Sequence, residues 1–288
     1  MTTRLGVIGH HGYDGLSEIL RLLQHEAPGH GYSLRFEEAL LKDAGSSHKL
    51  SRPDQIDALI ALGGDGTLLR AARFLGGARV PMFGVNLGKL GFLTACGHEE
   101  FPKAFAAFAN GKYVVQERMA LEATTVSAEG TVGVRLRALN DVVIHKGGFA
   151  RVLRMRVFVD GELISSFAAD GLVMSTPTGS TAYSLSASGP IVVPTFDSLI
   201  VTPVAPHTLA LRPTILPPGA QLRVDVDDAP EEVLVTADGQ VGTALGAGQS
   251  LLVRRADAPV LLVSFEDTSF FTRLRGKLHW GGLDERDR

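Results

Sequence analysis

At 288 residues the chain has room for about two domains of roughly 150 residues each, and for a core that needs no disulfide or metal staple. Hydrophobic residues make up 45% and charged residues 20%, which excludes a disordered or fibrous protein. The 28 basic and 31 acidic residues leave −3, with no pull toward nucleic acid or an anionic membrane.

The first third alternates strand and helix. Leu5 to Gly9 reads as a buried strand ending in the loop His10 to Gly15. Leu16, Ile19, Leu20 and Leu23 then form a helical stripe. Ser33 to Phe36 reads as a second strand, and Asp57 to Leu62 as a buried one that runs into Gly63-Gly64-Asp65-Gly66-Thr67. A helix follows with Leu68, Ala72 and Leu75 on one face, then a strand over Val80–Val85 and a helix over Glu99–Ala109. Such alternation implies a Rossmann-like parallel sheet covered by helices. After about Arg118, Val/Thr/Arg-rich alternation takes over, with Ala128-Glu129-Gly130, Asp160-Gly161 and Asp238-Gly239 as turns. Arg135, Arg137, Arg154 and Arg156 read as solvated faces of strands. The expected organisation is an α/β domain over 1–118, a β-rich domain over 119–266, and a helical tail over 267–288 that returns to the first domain. The lone cysteine, Cys96, leaves no internal disulfide and no zinc-spaced cluster, which fits a reducing cytoplasm. Neither a signal peptide nor an apolar run near the roughly 20 residues of a membrane helix is present in the sequence.

The 33 glycines exceed the roughly 7% average and fall in tight loops, where a ligand meets backbone. In the first such loop a strand delivers Gly63, Gly64 and Gly66 around Asp65, with Thr67 opening a helix. Bare backbone at a helix N-terminus suits phosphates. An acid there would repel them unless it holds a metal ion or accepts a proton from a hydroxyl nucleophile. The plainer reading makes Asp65 a helix cap. Arg70, one turn on, could reach a phosphate as a bidentate donor. The loop lacks the Lys-Ser/Thr ending of a P-loop.

The second site is Asn140-Asp141, before a strand. An amide beside a carboxylate suits sugar hydroxyls or an adenine edge, although such a pair also makes an ordinary turn. The third is Ser175 to Ser188, which holds eight serine and threonine side chains. Small residues and hydroxyls make a polar wall that a flat ligand can approach. A serine-hydrolase reading fails, since Gly179-Ser180-Thr181-Ala182 is not G-x-S-x-G and only His207 is an obvious base. Most other histidines fall in loops.

Together these pieces resemble the NAD kinase family. The resemblance rests on Gly63–Thr67, on Asn86-Leu87-Gly88-Lys89-Leu90-Gly91-Phe92-Leu93, on Asn140-Asp141 and on Thr176–Tyr183. It covers about residues 5 to 270. It implies transfer of the γ-phosphoryl group of ATP to the 2′-hydroxyl of the adenosine ribose of NAD, with Mg²⁺ or another divalent ion. Inorganic polyphosphate is an alternative donor in some members. The resemblance makes Asp65 the proton acceptor, with Gly66 and Arg70 lining the same pocket. It gives Asn140 and Asp141 to the NAD adenosine and Asp170 to the adenine end. Thr181, Ala182, Tyr183, Ser184, Leu185 and Ser186 become the ligand wall, with Tyr183 stacking. Arg151, Ala205 and Gln240 align by spacing. The metal ligands stay unassigned. Ala168 stands where some members carry a basic residue that disfavours NADH, so NADH is also an expected acceptor. A homodimer or homotetramer is implied too. Two other readings stay open. One is a lipid kinase with the same first motif, which would need a large apolar cleft. The other is an NAD(H)-binding sensor without turnover.

Overall fold

The structure is a computed structural model, and it describes residues 2–88, 91–147, 152–227, 233–246, 248–265 and 269–278. The chain begins β1 (Thr3–Gly9), α1 (Leu16–Gly29), β2 (Tyr32–Phe36), β3 (Ala58–Gly63), α2 (Asp65–Leu75), β4 (Met82–Asn86), β5 (Cys96–Gly97), α3 (Phe101–Ala109) and β6 (Val114–Arg118). Strands dominate the middle: β7 (Leu121–Val126), β8 (Val132–Ala138), β9 (Asp141–Lys146), β10 (Leu153–Val159), β11 (Glu162–Ala169) and β12 (Gly171–Ser175). A short α4 (Tyr183–Ser186) precedes β13 (Leu199–Val204), β14 (Thr214–Leu216), β15 (Leu222–Asp227), β16 (Val233–Ala237), β17 (Val241–Leu245) and β18 (Ser250–Arg255). The chain closes with β19 (Val260–Ser264) and α5 (Phe270–Leu278).

Two compact units result, one of Met1–Glu117 with Leu261–Arg288, the other of Arg118–Val260. The first carries a sheet in the order β2-β1-β3-β4-β19-β6, with β5 beside β4. β1, β3 and β4 pair in parallel. Every residue of β3 and of β4 is buried, as a parallel strand covered on both faces requires. α1 buries Leu16, Ile19, Leu20, Leu23 and Ala27, one stripe of a 3.6-residue period. Phe83, Phe101, Phe105 and Phe108 fill the core beneath α3. Strand β19 pairs in parallel with β4, Leu262 opposite Met82. The β-rich domain expected over 119–266 instead ends at Val260, and β19 joins the first sheet, because a short buried run reads alike in either kind of sheet.

The second unit has two sheets, β11-β10-β15-β18-β7-β8 and β14-β13-β12-β9-β16-β17. Their paired strands are antiparallel. Inward residues of both, among them Ile144, Met155, Leu172, Val224 and Leu251, form one core. Outward residues alternate with them along β7 and β16. Asp160-Gly161 and Asp238-Gly239 turn their hairpins with both φ angles positive, 51° and 88°, then 53° and 62°. One strand arginine departs from the solvated-face expectation. Arg137 is half-buried and donates to the Ala258 carbonyl, and burial lowers its pKa. Arg156 is paired with Asp225 and Asp227. Among the described residues no helix is long and apolar enough to cross a membrane.

Phe105 is 1% exposed and packs its ring against Phe101 and Tyr32. Phe105→Ala is expected to destabilise the first unit by about 3–5 kcal/mol, read as a lower urea midpoint with the second unit's transition unmoved.

Candidate active site

The first cluster is built on the β3–α2 turn. Gly63 has φ +152°, and a Cβ there would lie 2.3 Å from Thr67 Oγ1. Only glycine lets the strand end against the first helical turn. Gly64 occupies the N-cap position and Asp65 is the first helical residue. Asp65 is therefore not the cap. Its half-buried carboxylate reaches away from the helix and accepts two backbone N–H groups, Phe92 at 2.7 Å and Leu93 at 3.0 Å. Gly91 makes this approach possible, because a Cβ there would lie 2.0 Å from Asp65 Oδ1. Asn86 shapes the loop upstream by exchanging two 3.2 Å hydrogen bonds with the backbone of Gly88. The Asn86–Leu93 motif thus delivers two amides to one acid; Lys89 and Leu90 within it lie outside the described residues.

Arg70 does not present a free fork to a phosphate. Its guanidinium donates to both carboxylate oxygens of Glu37, at 2.5 and 3.0 Å, and to the Gly9 carbonyl. It braces α2 against the end of β1. The sequence could not reveal Glu37 as the partner, which lies 33 residues away.

The second cluster lies within the other unit, around a cavity of about 570 Å³, a size that suits a small ligand. Asn140, Asp141, Asp170, Ala182 and Tyr183 line it, joined by His145, Lys146 and Asp238. Residues 139–141 are gripped from two sides. Asp238 accepts the N–H groups of Leu139, Asn140 and Asp141 at 3.0, 2.7 and 3.3 Å. Thr176 donates its hydroxyl to the Leu139 carbonyl at 2.6 Å and its N–H to the Asn140 carbonyl. Gly179 packs flat on Asn140, where a Cβ would lie 2.1 Å from the carbonyl oxygen. The buried Asn140 Oδ1 has no hydrogen-bond partner in the protein, so a donor from a ligand would satisfy it. Asp141 is 5% exposed. Burial first, and the Asp238 charge second, push its carboxyl up to about 7 against a hydrogen bond from the Tyr183 N–H. Asp170 pairs with Lys146 at 2.7 Å.

The hydroxyl-rich run is mostly not a wall facing a ligand. Ser175, Thr176, Thr178, Ser180 and Ser184 are buried. Ser180 bonds the Pro177 and Val192 carbonyls, and Ser184 bonds Thr202 Oγ1. The hydroxyl of Ser184, expected to meet the ligand, points into the protein interior instead, where it meets Thr202 Oγ1. Thr181, Ala182 and Leu185 are half-buried, Ser186 is exposed, and Tyr183 is 44% exposed. Ala168 is half-buried, and its carbonyl accepts the His207 N–H. Ala205 follows β13 at φ +45°, next to the cavity residue Val204. Gln240 closes the Asp238 turn. Arg151 lies outside the described residues. Sequence reasoning missed Asp238, which looked like a hairpin residue only, and Lys146 and His145, which lie on β9 rather than in a loop. Among the described residues no three His, Cys, Asp or Glu side chains gather to hold a metal ion. Asp65, the one acid of the glycine loop, suits the mode in which Mg²⁺ takes one carboxylate plus substrate phosphates.

Comparison with known proteins follows the same division. Residues 25–113 match the ATP-NAD kinase N-terminal domain and residues 139–265 the ATP-NAD kinase C-terminal domain. A protein named NAD kinase from Gemmatimonas aurantiaca is 53% identical over 284 residues, which cover 99% of this chain and 98% of that one. One from Syntrophotalea carbinolica is 43% identical, over 88% of this chain and 90% of that one. Two solved structures share the fold at 24% identity. Yeast NADH kinase complexed with NADH gives a TM-score of 0.87 over 98% of this chain and 89% of that one. An NAD kinase from Archaeoglobus fulgidus in complex with ATP gives 0.75 over 96% and 99%.

The Asp141 carboxyl should titrate near pH 7, and Asp238→Asn should bring it down by removing the neighbouring charge. Because its folded pKa lies above the ordinary carboxylate value, its contribution to stability is complete below about pH 4 and disappears as pH rises through about 7. Carboxyl-carbon NMR of the labelled protein and its Asp238→Asn variant checks both value and direction.

Proposed function

The chain belongs to the ATP-NAD kinase family, and from that premise we propose how its own residues transfer the γ-phosphoryl group of ATP to the 2′-hydroxyl of the adenosine ribose of NAD, giving NADP and ADP. The observation that carries the assignment is the Asp65 carboxylate, held by the Phe92 and Leu93 amides in a turn made of glycines.

A ribose hydroxyl is a poor nucleophile at neutral pH. Holding it in line with the γ-phosphorus supplies a large part of the rate. Asp65 keeps lone pairs free beside its two amide bonds. It accepts the hydroxyl proton late, as the bond to phosphorus forms. Gly63, Gly64, Gly66 and Thr67 leave the α2 N-terminus bare of bulky side chains, where its dipole favours phosphate charge. Asp65, the one acid of the glycine loop, would help hold a divalent ion such as Mg²⁺ bound with the ATP phosphates, and that ion would supply Lewis-acid stabilisation of the developing charge. On the acceptor side, Asn140 Oδ1 and the Asp141 carboxylate take hydrogen bonds from the NAD adenosine. The exposed Tyr183 ring stacks on the adenine, with Thr181, Ala182, Leu185 and Ser186 as its surroundings. Asp170, paired with Lys146, closes the adenine end. Ser184 supports this shelf from behind.

Ala168 leaves room for the reduced nicotinamide, so NADH is a second acceptor. A homo-oligomer fits Val132, Val134, Leu163 and Leu252, each 40% exposed or more. A cytoplasmic site of action fits a chain whose single cysteine, Cys96, leaves no internal disulfide to form.

Asp65→Asn should keep NAD affinity by calorimetry and lose about 10²- to 10⁴-fold in kcat; an unchanged kcat would remove Asp65 from the mechanism. Wild-type kcat/KM for NADH should lie within about tenfold of that for NAD, a factor worth about 1.4 kcal/mol, and Ala168→Arg should depress the NADH value selectively. A strong wild-type preference for NAD would overturn the role given to Ala168.

A further inference from the structure

The segment that holds Asp65 is itself held, from an element 181 residues along the chain. Arg273 lies in α5, and at 9% exposure it is buried together with Leu274. Its guanidinium donates to the Phe92 carbonyl at 2.9 Å and to the Thr94 carbonyl. One turn further on, the Lys277 ammonium stands 4.8 Å from the centroid of the Phe92 ring, within cation–π range. Residues 92–94 are therefore clasped on opposite polar faces. The Phe92 and Leu93 amides point to the Asp65 carboxylate, and the Phe92 and Thr94 carbonyls point to Arg273 Nη1.

A buried guanidinium is costly unless its donors are engaged. Burial disfavours the charge of Arg273, while the Asp65 carboxylate, first among the nearby acids, favours it. A side chain needed only to anchor α5 could be apolar, as Leu274 is. Arg273 Nη1 instead donates to two carbonyls at once. The peptide plane between Phe92 and Leu93 transmits that constraint: fixing the Phe92 carbonyl fixes the plane that carries the Leu93 N–H, one of the two amides on Asp65.

We propose that Arg273 is a positioning residue for phosphoryl transfer, acting through the Phe92–Thr94 backbone to hold the Asp65 carboxylate in its reactive orientation. This rests on the reading of Asp65 as the group that takes the acceptor hydroxyl proton. It gives the C-terminal helix a part in the chemistry without contact to any substrate.

The test uses the full-length enzyme with ATP, Mg²⁺ and NAD. Arg273→Met keeps an unbranched apolar stem and removes the guanidinium. It should lower kcat by about ten- to a hundredfold, the size expected of a small misplacement, with KM for NAD within about twofold. Arg273→Lys, which keeps charge and burial, should fall between. Millimolar guanidinium should restore part of the kcat lost in Arg273→Ala. Hydrogen exchange should quicken at the Phe92 and Leu93 amides ahead of β3 and β4. Wild-type kcat in a folded Arg273→Met, or in Arg273→Lys where the Met variant does not fold, would overturn the proposal. So would a loss expressed only in KM, or unchanged Phe92 and Leu93 exchange. Asp65→Asn separates the two levels. If that variant keeps full turnover, the role of Asp65 fails. If it is inactive while the Arg273 variants turn over normally, only the clasp fails.

Discussion

Two backbone amides, those of Phe92 and Leu93, fix the carboxylate of Asp65, and the loops of the first unit are arranged so that they can. β3, inside the sheet, carries the acid to the end of its strands, Gly63 allows the chain to turn into α2, and Gly91 leaves space where any side chain would displace an oxygen. Asn86 ties the loop that brings the amides back. Hydrogen bonds to a charged group contribute about 1.5–3 kcal/mol each, and breaking one leaves an unpaired group in a half-buried place. The carboxylate therefore has one orientation, which a group that must meet a hydroxyl at a set angle requires.

The second unit uses the same device for a different end. Asp238 grips the amides of residues 139–141, and Thr176 takes the neighbouring carbonyls. The result is an amide oxygen with no partner and a carboxyl whose ionisation is opposed by burial and by Asp238. Both are unfavourable in the free protein. Both are relieved by a ligand that donates hydrogen bonds, so the site discriminates for hydroxyl- and amino-bearing edges over apolar ones. A lipid acceptor would leave these groups buried and unpaired, which weighs against the lipid-kinase alternative.

The sequence made legible what depends on local pattern. Alternating strands and helices, then alternating strands alone, followed from the spacing of apolar residues. Asp65, Asn140 and Asp141 stood out by their glycine-rich or turn settings, and their roles came from the family resemblance. Contacts between distant segments were not legible. Nothing around Asp65 pointed to Phe92 and Leu93, and nothing around Arg70 pointed to Glu37. The hydroxyl run looked like a surface because serine and threonine usually are; Ser180 is instead buried with its hydroxyl on the Pro177 and Val192 carbonyls. Asp238 hid behind Asp-Gly, a sequence fully explained by a hairpin with two positive φ angles. Arg273 hid in a tail whose helical period identified the helix but not its target.

The central claim is that the chain places phosphate on the 2′-oxygen of the adenosine ribose of NAD. Phosphorus NMR of a mixture of the protein, ATP, Mg²⁺ and NAD tests it directly. The account predicts a new phosphomonoester resonance coupled to the 2′ position of the adenosine ribose, growing in step with ADP. ADP and free phosphate without that ester, or an ester on any other hydroxyl, would contradict it.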